Sequence, residues 1–213
     1  MTWTESIPTL TKEYRKIRIR NDDVLVHSTS KFKGREVGRL RGFHKLVMTD
    51  PKHFIHVAAI LTTEIQDFPD AISYIKEETA LGNLLPEVHG LQHIDYGELS
   101  HDEIVRHLLE AKQFIIDEFN YTPTIWYSPW GAGEDAQGAH LRGAALDAGL
   151  NLVTLSRFIP PAILVNEIRS LPKTGESPAD LIARWEGREI LRHWWEGAGA
   201  LAECLKFFKA NDP

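Results

Sequence analysis

Residues 87–98 read EVHGLQHIDYGE, and the imidazoles of His89 and His93 sit four positions apart, a spacing that suits a metal ion. The same spacing fits an ordinary helical turn or loop, so a third ligand must come from elsewhere. Asp22 and Asp23 stand side by side in RKIRIRNDDVLVHS. Adjacent acids repel each other unless a cation or arginine compensates, and a solvated turn beside Asn21 is the competing reading. Asp23, His89 and His93 together can offer one carboxylate and two imidazoles. That donor set suits Zn²⁺ and related divalent ions and leaves positions open for water and substrate. A bound water of lowered pKa is a nucleophile at neutral pH, and the second carboxylate of the pair can accept its proton.

The elements that must position these groups alternate along the chain. HFIHVAAILT, LLPEVHG, TPTIWYSPWG, NLVTLS and GREILRHWW read as strands after the first extended stretch. FPDAISYIKEETALG reads as a helix with Asp70 near its start and Gly82 past its end. In LSHDEIVRHLLEAKQFIIDEFN, Ser100 and Glu103 form a capping box, and Ile104, Leu108, Ala111 and Ile115 repeat on one face. AHLRGAALDAGL reads as a helix stopped by Gly149. Strand and helix alternating at this spacing predict an α/β protein with a mostly parallel sheet or barrel. In such folds the functional groups gather at the carboxyl ends of strands, where Asp22, Asp23, His89, His93, Pro129–Gly131 and His193 all fall.

The 213 residues carry 43% apolar and 25% charged residues, a soluble globular balance, with no repeat or low-complexity linker, so residues 1–213 read as one domain. A net charge of −6 gives no electrostatic case for nucleic acid or an anionic membrane as partner. Cys204 is the single cysteine, which excludes an intrachain disulfide and a thiolate-rich zinc site. MTWTESIPTLTKEYRKIRIR has no apolar h-region and no window is long enough to span a bilayer, so the expected location is cytoplasmic. Residues 31–45, KFKGREVGRLRGFHK, are basic and read as a solvated loop, or as a lip over the site that attracts an anionic substrate or partner. Trp126, Trp130, Trp194 and Trp195 cluster near the site motifs, where aromatic faces can stack on sugar rings or simply fill the core.

The order NDD, HGLQH, SPWG, LRH resembles that of the polysaccharide deacetylase (NodB-homology) family, over about Arg18 to Trp195. The resemblance implies a distorted (β/α) barrel, hydrolysis of N-acetyl or related acyl groups, and a divalent metal: Zn²⁺ first, with Co²⁺, Ni²⁺ or Mn²⁺ as other candidates. It implies Asp22 as catalytic base, Asp23, His89 and His93 as metal ligands, and His193 as general acid toward the leaving amine. It also implies the backbone N–H of Trp130 as an oxyanion donor, with Tyr127, Pro129 and Trp194 lining the substrate site.

Three positions depart from the family pattern. Val24 stands where the first motif usually ends in glycine. Tyr127 stands where an arginine usually orients the catalytic aspartate. TLSRFIPP lacks the aspartate-tryptophan motif that orients the general acid, although its Arg157 is a candidate replacement for the missing arginine. The expected partner is a small-molecule or glycan substrate, with oligomeric state open. Two alternatives stand beside deacetylation of a carbohydrate: hydrolysis of a linear, non-sugar amide, and a degenerate member that only binds glycan or a protein partner.

Overall fold

The computed structural model describes residues 17–24, 36–52, 54–131, 138–153, 189–193 and 202. Six strands, β1 (Ile17–Val24), β2 (Phe54–Leu61), β3 (Leu84–Gly90), β4 (Ile125–Tyr127), β5 (Asn151–Val153) and β6 (Glu189–His193), form one sheet in the order β5-β4-β3-β2-β1-β6. Every pairing is parallel. Parallel neighbours need crossovers, and helices supply them. α1 (Glu36–Val47) follows β1, α2 (Thr62–Ile65) and α3 (Pro69–Ala80) follow β2, α4 (His101–Phe119) follows β3, and α5 (Gly138–Asp147) follows β4.

Strand alternation sorts the sheet into two faces. Ala58, Ile60, Leu84, Val88, Trp126 and Leu152 join the helices in the main core. The intervening residues Val57, Ala59, Tyr127 and Val153 form a smaller cluster on the other, inner face. α4 has the expected capping box at Ser100 and Glu103, and its apolar stripe of Ile104, Leu108, Ala111 and Ile115 is buried. Gly82 and Gly149 follow α3 and α5 with φ of +74° and +66°, the left-handed geometry in which glycine ends a helix.

The basic stretch 31–45 is corrected by the structure. From Glu36 onward it is helix α1, with Leu40, Phe43 and Val47 buried at helical spacing against β2 and α3. Arg41 and Lys45 stay exposed on a helix packed against β2 and α3. The charges concealed a three-residue apolar stripe.

That helix also buries a histidine pair without motif support. His44 Nδ1 and His56 Nδ1 lie 2.9 Å apart, so one ring donates and the other accepts. His44 Nε2 faces Glu78 Oε2 at 3.2 Å, with Tyr74 edge-on to the His44 ring. Burial holds the His56 imidazolium well below its ordinary value of 6.5, and the neighbouring His44 lowers it further. Burial also lowers His44, while Glu78 pulls it back up.

A depressed folded-state pKa means that the unfolded chain binds the proton more readily. This stability is therefore complete above the ordinary histidine value and is lost as pH falls below it, by at most about 1.4 kcal/mol per pH unit for each group. Denaturant titrations between about pH 7.5 and about pH 5 are expected to show that loss, and His56→Gln to flatten the slope. An unchanged slope in His56→Gln would assign the acid sensitivity elsewhere.

Candidate active site

The carboxyl ends of β1 and β3 both slip in register against β2. Asn21 pairs with Ala58 and Val24 with Ile60, so β1 holds one residue more than β2 over this span. Asp22 and Asp23 together occupy the interval that Ala59 alone fills on β2, and Ala59 belongs to the inner face. Simple alternation would send two consecutive residues to opposite faces, and a bulge relaxes that rule and re-aims the chain. Val24, beyond the bulge, is fully buried among the helix-side residues, so a side chain is accommodated where the family pattern has glycine. On β3, Ile60 pairs with Val88 and Leu61 with Gly90, which leaves His89 as the extra residue.

His89 is 2% exposed, and its Nδ1 lies 2.6 Å from the carbonyl oxygen of Tyr127. A carbonyl only accepts, so Nδ1 carries the proton and Nε2 presents its lone pair, the tautomer that a metal ligand requires. The His89 carbonyl in turn accepts from Trp126 Nε1 at 3.0 Å. Trp126 is fully buried in the helix-side core and so is removed from the aromatic faces expected at a substrate.

His93 follows on a short turn that Gly90 makes possible. A Cβ on Gly90 would stand 2.6 Å from the Tyr96 hydroxyl, which accepts the Leu91 N–H at 2.8 Å. The Leu91 carbonyl accepts from both the backbone N–H and the hydroxyl of Thr63, at 3.1 and 2.5 Å. So held, the turn sets the His93 ring 5.6 Å from that of His89, centroid to centroid. Trp130 meets His93 edge-on at 4.6 Å. It is 70% exposed and has φ of +59°, a conformation that costs a bulky residue about 1–3 kcal/mol and that gathers at functional sites.

His193 reaches the same region through backbone register, since it is the residue of β6 paired with Asp22. The side chains of Asp22, Asp23 and His193, and the whole of Arg157, Trp194 and Trp195, lie outside the described residues. Among the described residues no three His, Cys, Asp or Glu side chains form a metal-holding group. The rings of His89 and His93 are neighbours, and Asp23, the third expected ligand, belongs to the β1 bulge.

Tyr127 and Pro129, expected at the substrate, are both buried, and Tyr127 supports the site from beneath. Its hydroxyl accepts from Arg18 at 3.1 Å, and the Arg20 guanidinium lies 4.3 Å from its ring centroid. Arg18 also reaches Glu87 at 3.7 Å. Glu87 is 1% exposed and accepts from the Tyr121 hydroxyl and the N–H groups of Thr124 and Ile125, each at 2.9 Å. Burial pushes its carboxyl above the ordinary range, against the pull of Arg18 and these donors. In the sequence, Arg18 and Arg20 alternate with Ile17 and Ile19 on β1, and Glu87 is the one acid in the strand LLPEVHG.

No protein-family model matches the sequence, and no curated protein matches it either. Solved structures do. A family 4 carbohydrate esterase from Streptomyces lividans, in complex with acetate, superposes with a TM-score of 0.58 at 14% identity, covering 92% of this chain and 88% of that one. A family 4 pseudoenzyme from Bacillus anthracis gives 0.59 at 14% identity, covering 92% of this chain and 61% of its own. A peptidoglycan deacetylase from Bacillus subtilis gives 0.53 at 15% identity, covering 93% and 85%. The fold is therefore the distorted barrel of the family 4 carbohydrate esterases, as the motif order led us to expect. Among the described residues no helix is long and apolar enough to cross a membrane.

Gly90→Ala is expected to displace Tyr96 and loosen the turn that carries His93, at a cost of about 1–3 kcal/mol. Thermal melting with and without Co²⁺ checks both effects. Wild-type stability and an unchanged response to Co²⁺ would show that the contact is not limiting.

Proposed function

We propose that this protein is a hydrolase that removes an acetyl or related acyl group from an N-acyl substrate, with N-acetylated carbohydrate as the first candidate. The observation that carries the reading is the register. It pairs Asp22 with His193 along the backbone and sets both aspartates at a bulge at the carboxyl end of the strand beside β2, across which His89 lies with its Nδ1 held by the Tyr127 carbonyl. The esterases and deacetylases that share the fold act as support for the substrate class.

Asp23, His89 and His93 form a donor set for a divalent ion, Zn²⁺ before Co²⁺, Ni²⁺ or Mn²⁺. When bound, such an ion supplies a Lewis acid for the acyl carbonyl and lowers the pKa of a water. The remaining work belongs to the chain. Asp22 accepts the proton of the attacking water, and the Trp130 N–H donates to the oxygen of the carbonyl as it gains charge. His193 gives a proton to the departing nitrogen as the C–N bond breaks, leaving a carboxylate and an amine. The exposed indole of Trp130 beside His93 offers an apolar face for a sugar ring.

Acetate release from N-acetylglucosamine oligomers, with Zn²⁺ or Co²⁺ added, tests this directly. Asp22→Asn is expected to lower kcat by about 10²-fold or more, the usual contribution of a general base. His89→Ala is expected to lose bound metal. Turnover of linear amides alone would move the substrate class away from carbohydrate. Equal rates in wild type and Asp22→Asn would leave a binding protein on an esterase fold, as the pseudoenzyme neighbours exemplify.

A further inference from the structure

The geometry points to Glu87 as a positioning residue for His89, acting through strand β4, an inference that rests on the reading of His89 as a metal ligand. β4 is three residues long, and its pairing with β3 is Val88 with Trp126. The β5 ladder pairs Tyr127 with Val153 on the far side, so on the β3 side, where His89 lies, side chains supplement a single backbone pair. Glu87 lies two residues before His89 on the same strand and collects donors from the whole segment that leads into β4. Its Oε2 accepts the N–H groups of Thr124 and Ile125, and its Oε1 accepts the Tyr121 hydroxyl. The same Oε1 faces the Arg18 guanidinium, which also donates to the Tyr127 hydroxyl. One carboxylate thus ties residues 121, 124 and 125 to β3 directly, and residue 127 through Arg18. The Tyr127 carbonyl is the acceptor that orients the His89 ring.

The chemistry explains why an acid is buried there. Oε2 accepts two N–H groups while Oε1 accepts a hydroxyl and faces a guanidinium at 3.7 Å, a combination that a neutral isostere cannot reproduce. In glutamine one end becomes an NH₂ group facing donors, so either the two backbone N–H groups or the Tyr121 and Arg18 groups lose their acceptor. A buried carboxylate is expensive unless paired and fully hydrogen-bonded, so its presence beside the candidate ligand points to a role beyond filling space.

Co²⁺ binding measured by calorimetry and by visible absorption on the full chain tests the inference, with wild type, Glu87→Gln and Tyr121→Phe compared. Glu87→Gln is expected to bind Co²⁺ about 10- to 100-fold more weakly, with an altered absorption envelope and an unchanged circular dichroism spectrum, as loss of an orienting partner does. Tyr121→Phe, which removes a single donor, is expected to weaken binding by a smaller factor and also covers the case in which Glu87→Gln does not fold. A folded Glu87→Gln that melts earlier but binds Co²⁺ like wild type would overturn the positioning role. So would Tyr121→Phe at wild-type affinity if Glu87→Gln fails to fold. Failure of wild type to bind Co²⁺ would remove the ligand assignment itself, and the positioning role with it.

Discussion

Strand β2 runs unbroken between two neighbours that each hold one residue more than it does at their carboxyl ends. The extra residue in β1 falls within Asp22–Asp23 and that in β3 falls at His89. A parallel sheet with a strict period of two presents one side chain per two residues to a given face. The proposed site draws on consecutive residues, and the two slips break that period near the carboxyl end of the sheet, on both sides of the same strand. The remainder of the site follows from this. His193 arrives as the register partner of Asp22, and the turn after Gly90 carries His93 back toward His89.

The inner face combines an apolar cluster with buried charged groups. Arg20 is 2% exposed and Glu87 1%, with Arg18 close to both Glu87 and Tyr127. Ionised groups in such surroundings cost several kcal/mol each unless paired. The arrangement meets that demand through shared contacts: Tyr127 receives one guanidinium on its hydroxyl and another on its ring, and Glu87 meets Arg18 and three neutral donors. Tyr127 stands where the family pattern has an arginine. Two guanidinium groups from β1 reach Tyr127, one at its hydroxyl and one over its ring.

Much of the architecture was legible because it rests on local rules. The capping box at Ser100 and Glu103, the helical stripe of α4, the glycines after α3 and α5, and the apolar strands each declare themselves within one or two turns of chain. Helix α1 is less legible for a local reason too: its short apolar stripe of Leu40, Phe43 and Val47 is outnumbered by basic residues. For Trp126 the sequence left two readings, a substrate face or the core, and the structure has it in the core. Which face of a three-residue strand turns inward depends on its neighbours, and an aromatic residue suits either side.

The sequence by itself determined the residue types on which the proposed metal-assisted acyl hydrolysis draws, and the alternation of strands and helices that brings strand ends together. Both follow from residue type and short-range period. Tertiary structure decided the protonation geometry of His89, the register slips at Asp22–Asp23 and His89, and the buried service of Glu87 and the two arginines. These depend on hydrogen bonds between residues tens of positions apart, such as His89 with Tyr127 and Glu87 with Ile125. A strand pattern states that a residue is buried, but the partner that makes its burial tolerable comes from another strand, and only folding brings the two together.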